Sequence, residues 1–244
     1  LSDYVISRRL ALRDVDSSYY KYEASMKKLR VSLIGIFLAL FANASYSEGV
    51  MNLVTLNTDD PAGYAAWAKG SASALVKIND SMAMGLCSPT SGAEVIGDHY
   101  LWTFFESQEK AWQADPMDPA QRAEVAKIDV DRTIRTWDNW RIVRAAEITE
   151  SGHYYNIYVE TADLGSYLAG LDTLMAEMDK RGLGVTMQVF VGDTGATVGT
   201  VMVSLGAENA ATLGRAMDAR TEDWYQKIVA GFAGQREMVH AFSM

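Results

Sequence analysis

The stretch from Trp140 to Glu160, WRIVRAAEITESGHYYNIYVE, constrains the chain most. Two runs rich in β-branched and aromatic residues flank a polar joint, Glu150-Ser151-Gly152, which reads as two strands and a turn. The run before the joint closes one structural unit and the run after it opens another. Trp140–Ile148 can be set over Arg236–Met244 at an offset of 96, which places Ile142 on Met238, Val143 on Val239 and Ala145 on Ala241. Met51–Leu56 can be set over Tyr155–Glu160 at an offset of 104, which places Asn52 on Asn156 and Leu53 on Ile157. With one gap, Asp60 then meets Asp163 and Tyr64 meets Tyr167. A period of this size is too long for a solenoid repeat and matches one small domain.

The local signals repeat in the same order. In the first unit Met51–Leu56 is a strand, and Asp60-Pro61 is an N-cap followed by a proline whose missing N–H is harmless in a first helical turn. The following stripe, Tyr64, Trp67, Ala68, Leu75, Ile78 and Met82, predicts a helix running to about Met82. Met84–Cys87 and Tyr100–Phe105 read as strands. Ser107 caps a second helical region that Pro116 and Pro119 interrupt; its restart carries Ala123, Ala126, Val130, Ile134 and Trp137 as its buried face, before a closing strand at Arg141–Glu147. In the second unit Tyr154–Glu160 opens, and Asp163 caps a helix with the stripe Leu164, Tyr167, Leu168, Leu171, Leu174, Met175 and Met178. Arg181-Gly182 ends that helix with a cation and a glycine. Val185–Val191 and Gly199–Leu205 are strands, Trp224 to Phe232 a helix, and Met238–Phe242 the last strand.

Both units, 48–149 and 153–244, therefore read β-α-β-β-α-β, the split-βαβ ferredoxin-like pattern, and the fold class is α+β with antiparallel sheets. Such a unit carries both helices on one face of its sheet and leaves the other face bare. Two units in one chain can cover each other, so the expectation is a monomer built as an intramolecular pseudo-dimer.

The first 47 residues are set apart. Met26-Lys27-Lys28-Leu29-Arg30 is a basic start, Val31–Ala42 is an apolar run of 12 residues, and Ala42-Asn43-Ala44 is a small-x-small site. These are the three regions of a secretory signal peptide at 26–44, with cleavage after Ala44 or, alternatively, after Ser47. The run is too short to span ~30 Å of hydrocarbon, so no stable membrane span is expected after cleavage, and the destination is periplasmic or secreted. Residues 1–25 read as an upstream extension; the rival reading is a cytoplasmic arm before an uncleaved anchor.

Charge excludes some partners. Residues 1–44 hold 7 Lys/Arg and 4 Asp/Glu, and the remainder holds 15 and 27, a net charge of −12. Such a surface repels phosphate backbones, so nucleic acid is not expected as a partner, and neither is an anionic membrane. The single cysteine, Cys87, permits no internal disulfide and reads as a small buried apolar residue.

The order of elements over about residues 50–244 resembles that of the dimeric α/β-barrel superfamily, which includes antibiotic-biosynthesis-monooxygenase-like domains, stress-responsive barrel proteins and haem-degrading monooxygenases. In the haem-degrading members an asparagine on the first strand and a tryptophan on the third line the pocket, and the resemblance maps these onto Asn52 and Trp102, with Asn156 as the second-unit counterpart of Asn52. Those enzymes also use a histidine on the second helix as haem ligand. Residues 107–139 and 207–233 contain no histidine, so no cofactor is expected.

The remaining candidates come from the residues themselves. His99, His153 and His240 have no partner at metal-ligand spacing, so no metal site is expected. His240, between Val239 and Ala241 in the last strand, or His99 could act as a base in an apolar pocket. Aromatic residues concentrate in the first unit, among them Trp67, Tyr100 and Trp102; they suit a flat ligand, and equally a packed core. The glycines Gly192, Gly195 and Gly199 lie between strands and not before a helix, so they are a hairpin and not a phosphate loop. Three functions remain open: an exported protein binding a small apolar or aromatic molecule, a cofactor-independent monooxygenase using the same pocket, and a non-catalytic envelope protein that binds a partner.

Overall fold

The computed structural model describes residues 48–146 and 152–244. The expected leader, the segment before it, and Glu150 and Ser151 of the joint lie outside the described residues. The elements are β1 (Val50–Asn57), α1 (Pro61–Ile78), β2 (Ala83–Cys87), β3 (Asp98–Phe105), α2 (Gln108–Gln113), α3 (Pro119–Val125), β4 (Thr133–Arg144), β5 (His153–Glu160), α4 (Leu164–Lys180), β6 (Val185–Thr194), β7 (Val201–Ala207), α5 (Ala210–Asp218), α6 (Asp223–Ala230) and β8 (Glu237–Ser243).

All eight strands form one antiparallel sheet in the order β2-β3-β1-β4-β6-β7-β5-β8. In each half the first strand lies between the third and the fourth, with the second outside. The halves join through β4 and β6, where Asn139 faces Thr194 and Ile142 faces Phe190. The sheet then curls until its two free ends meet. The Thr90 N–H donates to the Ser243 carbonyl at 2.7 Å, and the Ser243 N–H donates to the Ser91 carbonyl at 3.0 Å.

A curled sheet with helices outside buries both faces, and its strands show it as unbroken apolar runs. In β6, Val189 and Val191 point to the helices while Phe190 points into the curl; in β7, Val201 and Val203 point out while Met202 points in. The inner core is Met51, Leu53, Tyr100, Phe104, Trp140, Phe190, Met202 and Phe242. Ring contacts cross it, Tyr100 to Phe242 at 4.9 Å between centroids and Phe104 to Phe190 at 6.2 Å. The outer core of the second half packs Tyr167, Leu171, Leu174, Met175 and Met178 of α4 against the strands.

The helix starts follow their caps. The Asp60 carboxylate accepts the Gly63 N–H at 2.9 Å, and the Asp163 carboxylate accepts the Ser166 N–H at 2.9 Å. Gly182 takes a φ of +66° just past α4, a conformation that costs glycine nothing.

Two expectations are corrected. Helix α1 stops at Ile78 and not near Met82, because Asn79 caps it and Asp80 turns left-handed at φ 48°; Met82 is 55% exposed. The expected buried helical face does not form: the helix carrying Ala123 has no buried residue, Ala126 and Val130 lie past its end, and Ile134 and Trp137 do not belong to a helix. The helix that restarts after Pro119 ends at Val125, and both residues lie in β4, which starts at Thr133. The first part of β4 pairs with β1 alone, since β6 joins only from Asn139 onward. A strand with one neighbour there leaves Ile134 50% and Trp137 51% exposed and shows no clean alternation.

Burial pushes the phenols of Tyr64, Tyr100 and Tyr167 up to about 12. Each group is favoured in its neutral form by the folded state, so its contribution is intact below the unfolded value near 10 and is lost as the pH rises through 12. Stability should therefore fall between about pH 10 and pH 12. Denaturant midpoints across that range, followed alongside tyrosinate absorbance, check it; a midpoint independent of pH there contradicts the burial of these phenols.

Candidate functional site

The first half does not fill the space between its sheet and its helices. A cleft of about 450 Å³ remains, in the size range of small-molecule sites. Its floor is the helix-facing side of the sheet, with Asn52 and Val54 of β1, Leu101, Thr103 and Phe105 of β3, and Trp137 and Asn139 of β4. Tyr64, Trp67 and Leu75 of α1 form one wall; Trp112 of α2 and Gln121, Arg122 and Val125 of α3 form the other.

The polar groups of the floor are tied together. The Trp137 indole N–H donates to Asn52 Oδ1 at 2.9 Å, and Asn52 Nδ2 donates to Asn139 Oδ1 at 2.8 Å. Asn52 faces Asn139 across β1 and β4, so the contact follows from register. The Trp67 indole N–H donates to the Glu124 carbonyl at 3.0 Å and holds α3 against α1. Gln121 Oε1 is buried without a hydrogen-bond partner. The titratable residues among those lining the cleft are Tyr64, Arg122 and Arg132. Burial raises Tyr64 to about 12, and the nearby Arg132 guanidinium pulls it back only in part. The cleft therefore presents permanent positive charge, an unpaired acceptor and aromatic faces, and among its described lining residues no group that titrates near neutrality.

Other sequence candidates separate onto different faces. Trp67 and Asn52 line the cleft together. Trp102 does not share it: Trp102 faces Leu53 across β3 and β1, on the inner side of the curl, while Thr103 takes the place opposite Asn52. Gly85 opposite Trp102 makes room for the indole, since a Cβ there would lie 2.3 Å from the ring. The indole N–H reaches Cys87 Sγ at 3.4 Å, and burial raises that thiol to about 11, so Cys87 stays neutral. Tyr100 and Asn156 also face inward, around a second, smaller cavity of about 60 Å³.

Asn156 is consequently not the counterpart of Asn52. An offset of 103 carries Asp60 to Asp163 and Tyr64 to Tyr167 without a gap, and it carries Met51 to Tyr154 and Leu53 to Asn156, all four of which line the inner cavity. A slip of one residue exchanges the faces of a strand.

The histidines line neither cavity. His99 is buried at the start of β3, with Nδ1 2.8 Å from Ser88 Oγ, and desolvation lowers its pKa. His240 stacks on Phe242 and lies near Tyr158, with Nε2 buried and unpartnered. His153 begins β5 opposite Ala207. No histidine or cysteine lines the cleft, so its residues do not fit a haem iron of the kind the resemblance implies. Among the described residues no three His, Cys, Asp or Glu side chains lie close enough together to hold a metal ion, and no helix is long and apolar enough to cross a membrane.

By sequence, no family model and no curated protein matches the chain. By structure, a candidate monooxygenase from Lactobacillus acidophilus superposes with a TM-score of 0.55 at 12% identity, over 81% of this chain and 93% of its own. A candidate monooxygenase from Fusobacterium nucleatum gives 0.53 at 7% identity, over 81% and 91%. The fold is the dimeric α/β barrel. In this barrel the two halves differ in the side chains that their long helices bury. On its inward face α1 carries Ala68, Ser71 and Ala72, where α4 at the same offset of 103 carries Leu171, Leu174 and Met175. None of these three small residues lines the cleft, whose α1 wall is Tyr64, Trp67 and Leu75, while the larger residues of α4 pack into the outer core of the second half.

Sequence reading missed Asn139, Gln121, Arg122 and Arg132. Asn139 was reachable, because the ferredoxin-like order places the fourth strand beside the first. The arginines carry no local signal; only the fold brings them to the cleft.

Replacing Asn52 by alanine should leave the Trp137 indole and the Asn139 amide to water, because both are part-exposed, at a cost of about 1 kcal/mol. The urea midpoint measures this, and an unchanged midpoint contradicts a bracing role for Asn52.

Proposed function

We propose that the protein binds a small, flat, apolar molecule bearing an anionic group in the cleft of its first half, and that it does so outside the cytoplasm. The observation that carries this reading is the pairing of Trp67, Trp112 and Trp137 with Arg122 and Arg132 around one cavity of about 450 Å³. Aromatic walls suit a planar ligand, and a guanidinium pairs with a carboxylate in a fork that an amine cannot match. No carboxylate forms a salt bridge with either arginine among the described residues.

The enzyme reading draws on structural neighbours described as candidate monooxygenases. Against it stands the position of His99 and His240 away from the cleft, which leaves no base there to take a proton from a substrate. Binding without turnover fits the lining better. A purely partner-binding role gives no reason to keep a concave aromatic cleft under the helices.

Naphthoate and its methyl ester discriminate among these readings. Tryptophan fluorescence should quench saturably with the acid. Arg132→Gln should weaken the acid about tenfold, equivalent to about 1.4 kcal/mol, and leave the ester unchanged. Affinity should stay level from about pH 6 to pH 9, since arginine does not titrate there and Tyr64 ionises only near 12. Oxygen uptake with a bound phenol would overturn the binding-only reading, and equal losses of acid and ester would overturn the charge pairing.

Export rests on residues 26–44 and is tested by the mature terminus. Protein recovered from the envelope or the medium should begin at Ser45 or Glu48. Full-length chain confined to the cytoplasm contradicts it.

A further inference from the structure

The inner cavity lies on the opposite side of the sheet from the cleft and has a different chemistry. It takes its lining from seven strands, all except β4. One side is apolar, with Met51, Leu53, Phe104 and Phe190. The other side is a polar row that register imposes. Gln188 faces Ser204 across β6 and β7, and Ser204 faces Asn156 across β7 and β5. Three neighbouring strands thus present an amide, a hydroxyl and a second amide side by side to an otherwise apolar interior.

Asn156 is 1% exposed, and both its Oδ1 and its Nδ2 are buried without a partner. Buried amides are nearly always hydrogen-bonded, because leaving one unpaired forfeits its hydration with no return. An amide with both ends free, aimed into a cavity, needs an occupant that accepts from its N–H and donates to its carbonyl. No charged side chain lines the cavity, and burial holds the Cys87 thiol neutral, so an ion there would be unpaired. At about 60 Å³ the space holds roughly four to six water-sized groups.

We propose that the barrel interior is a second binding site, for a small neutral carboxamide or lactam, whose amide edge pairs with Asn156 through two hydrogen bonds while its short carbon chain packs on the methionine and phenylalanine side. Gln188 and Ser204 complete the polar end. This site is independent of the cleft, and neither reading depends on the other.

Propionamide, with five non-hydrogen atoms, is the probe. The side-chain NH₂ resonance of Asn156, assigned by its loss in Asn156→Leu, should shift saturably with propionamide. For so few atoms the dissociation constant should be on the order of millimolar. Asn156→Leu keeps the side-chain shape and removes both polar atoms, and it should weaken propionamide at least tenfold, read from the methyl resonances of Met51 and Met202. Should that variant fail to fold, Ser204→Ala serves in its place, with a loss of about threefold. Naphthoate quenching through the cleft should be unchanged in either variant. An Asn156 resonance that exchanges with water and ignores propionamide up to saturation would overturn the proposal and make the row the polar lining of a water cluster. Equal affinity in wild type and Asn156→Leu would overturn it as well.

Discussion

The structure depends on one strand with two allegiances. β4 pairs along its length with β1, which completes the first half, and along its second part with β6, which joins the halves into one sheet. Irregularities in its β6 pairing, between Asn139 and Trp140 and between Ile142 and Arg144, let it bend where the seam forms. Trp140, with no exposed surface, fixes the seam from the inside. Trp137 and Asn139, three residues and one residue before it, point the other way and supply the floor of the cleft. The same stretch thus sets the curl of the barrel, the inner core and the polar floor of the candidate site.

This double role explains where the sequence was readable. Elements governed by local chemistry were legible: the aspartate caps of α1 and α4, the glycine past α4, and the apolar runs of β6 and β7 all state their structure within a few residues. β4 was not. Val130, Ile134 and Trp137 fall at helical spacing, and the strand's first part is exposed because β6 does not reach it, so neither face announces itself. The decision there is made by β1, a partner strand about eighty residues earlier in the chain, where Val54 faces Trp137 and Leu56 faces Ile134, and no local pattern records it.

The two asparagines make the same point about function. Asn52 and Asn156 look equivalent when the opening strands are matched by eye, yet one floors the cleft and the other faces the interior. The helices held the correct answer, because Asp60 with Asp163 and Tyr64 with Tyr167 agree on 103 with no gap. In a sheet buried on both faces, hydrophobicity does not reveal a slip of one residue, since either face accepts apolar side chains. Register had to come from the caps. The arginines of the cleft were illegible for a plainer reason: a charged residue in a loop or on a helix surface gives no hint of which cavity it will face.

The two long helices bury side chains of different volume at matching positions. A buried leucine in place of alanine is worth roughly 2–5 kcal/mol, and α1 declines that exchange at Ala68 and Ala72, with serine at position 71, where α4 has Leu171, Met175 and Leu174. A half built only for stability would resemble the second one, with its layer filled by long aliphatic side chains. The first half instead stabilises itself through the closeness that small residues allow: α3 lies against α1, fastened by the Trp67 indole on the Glu124 carbonyl. What this arrangement retains is concave space walled by tryptophan and edged by arginine. Two halves with the same order of elements thus reach different interiors, because the side chains that their long helices bury differ in volume.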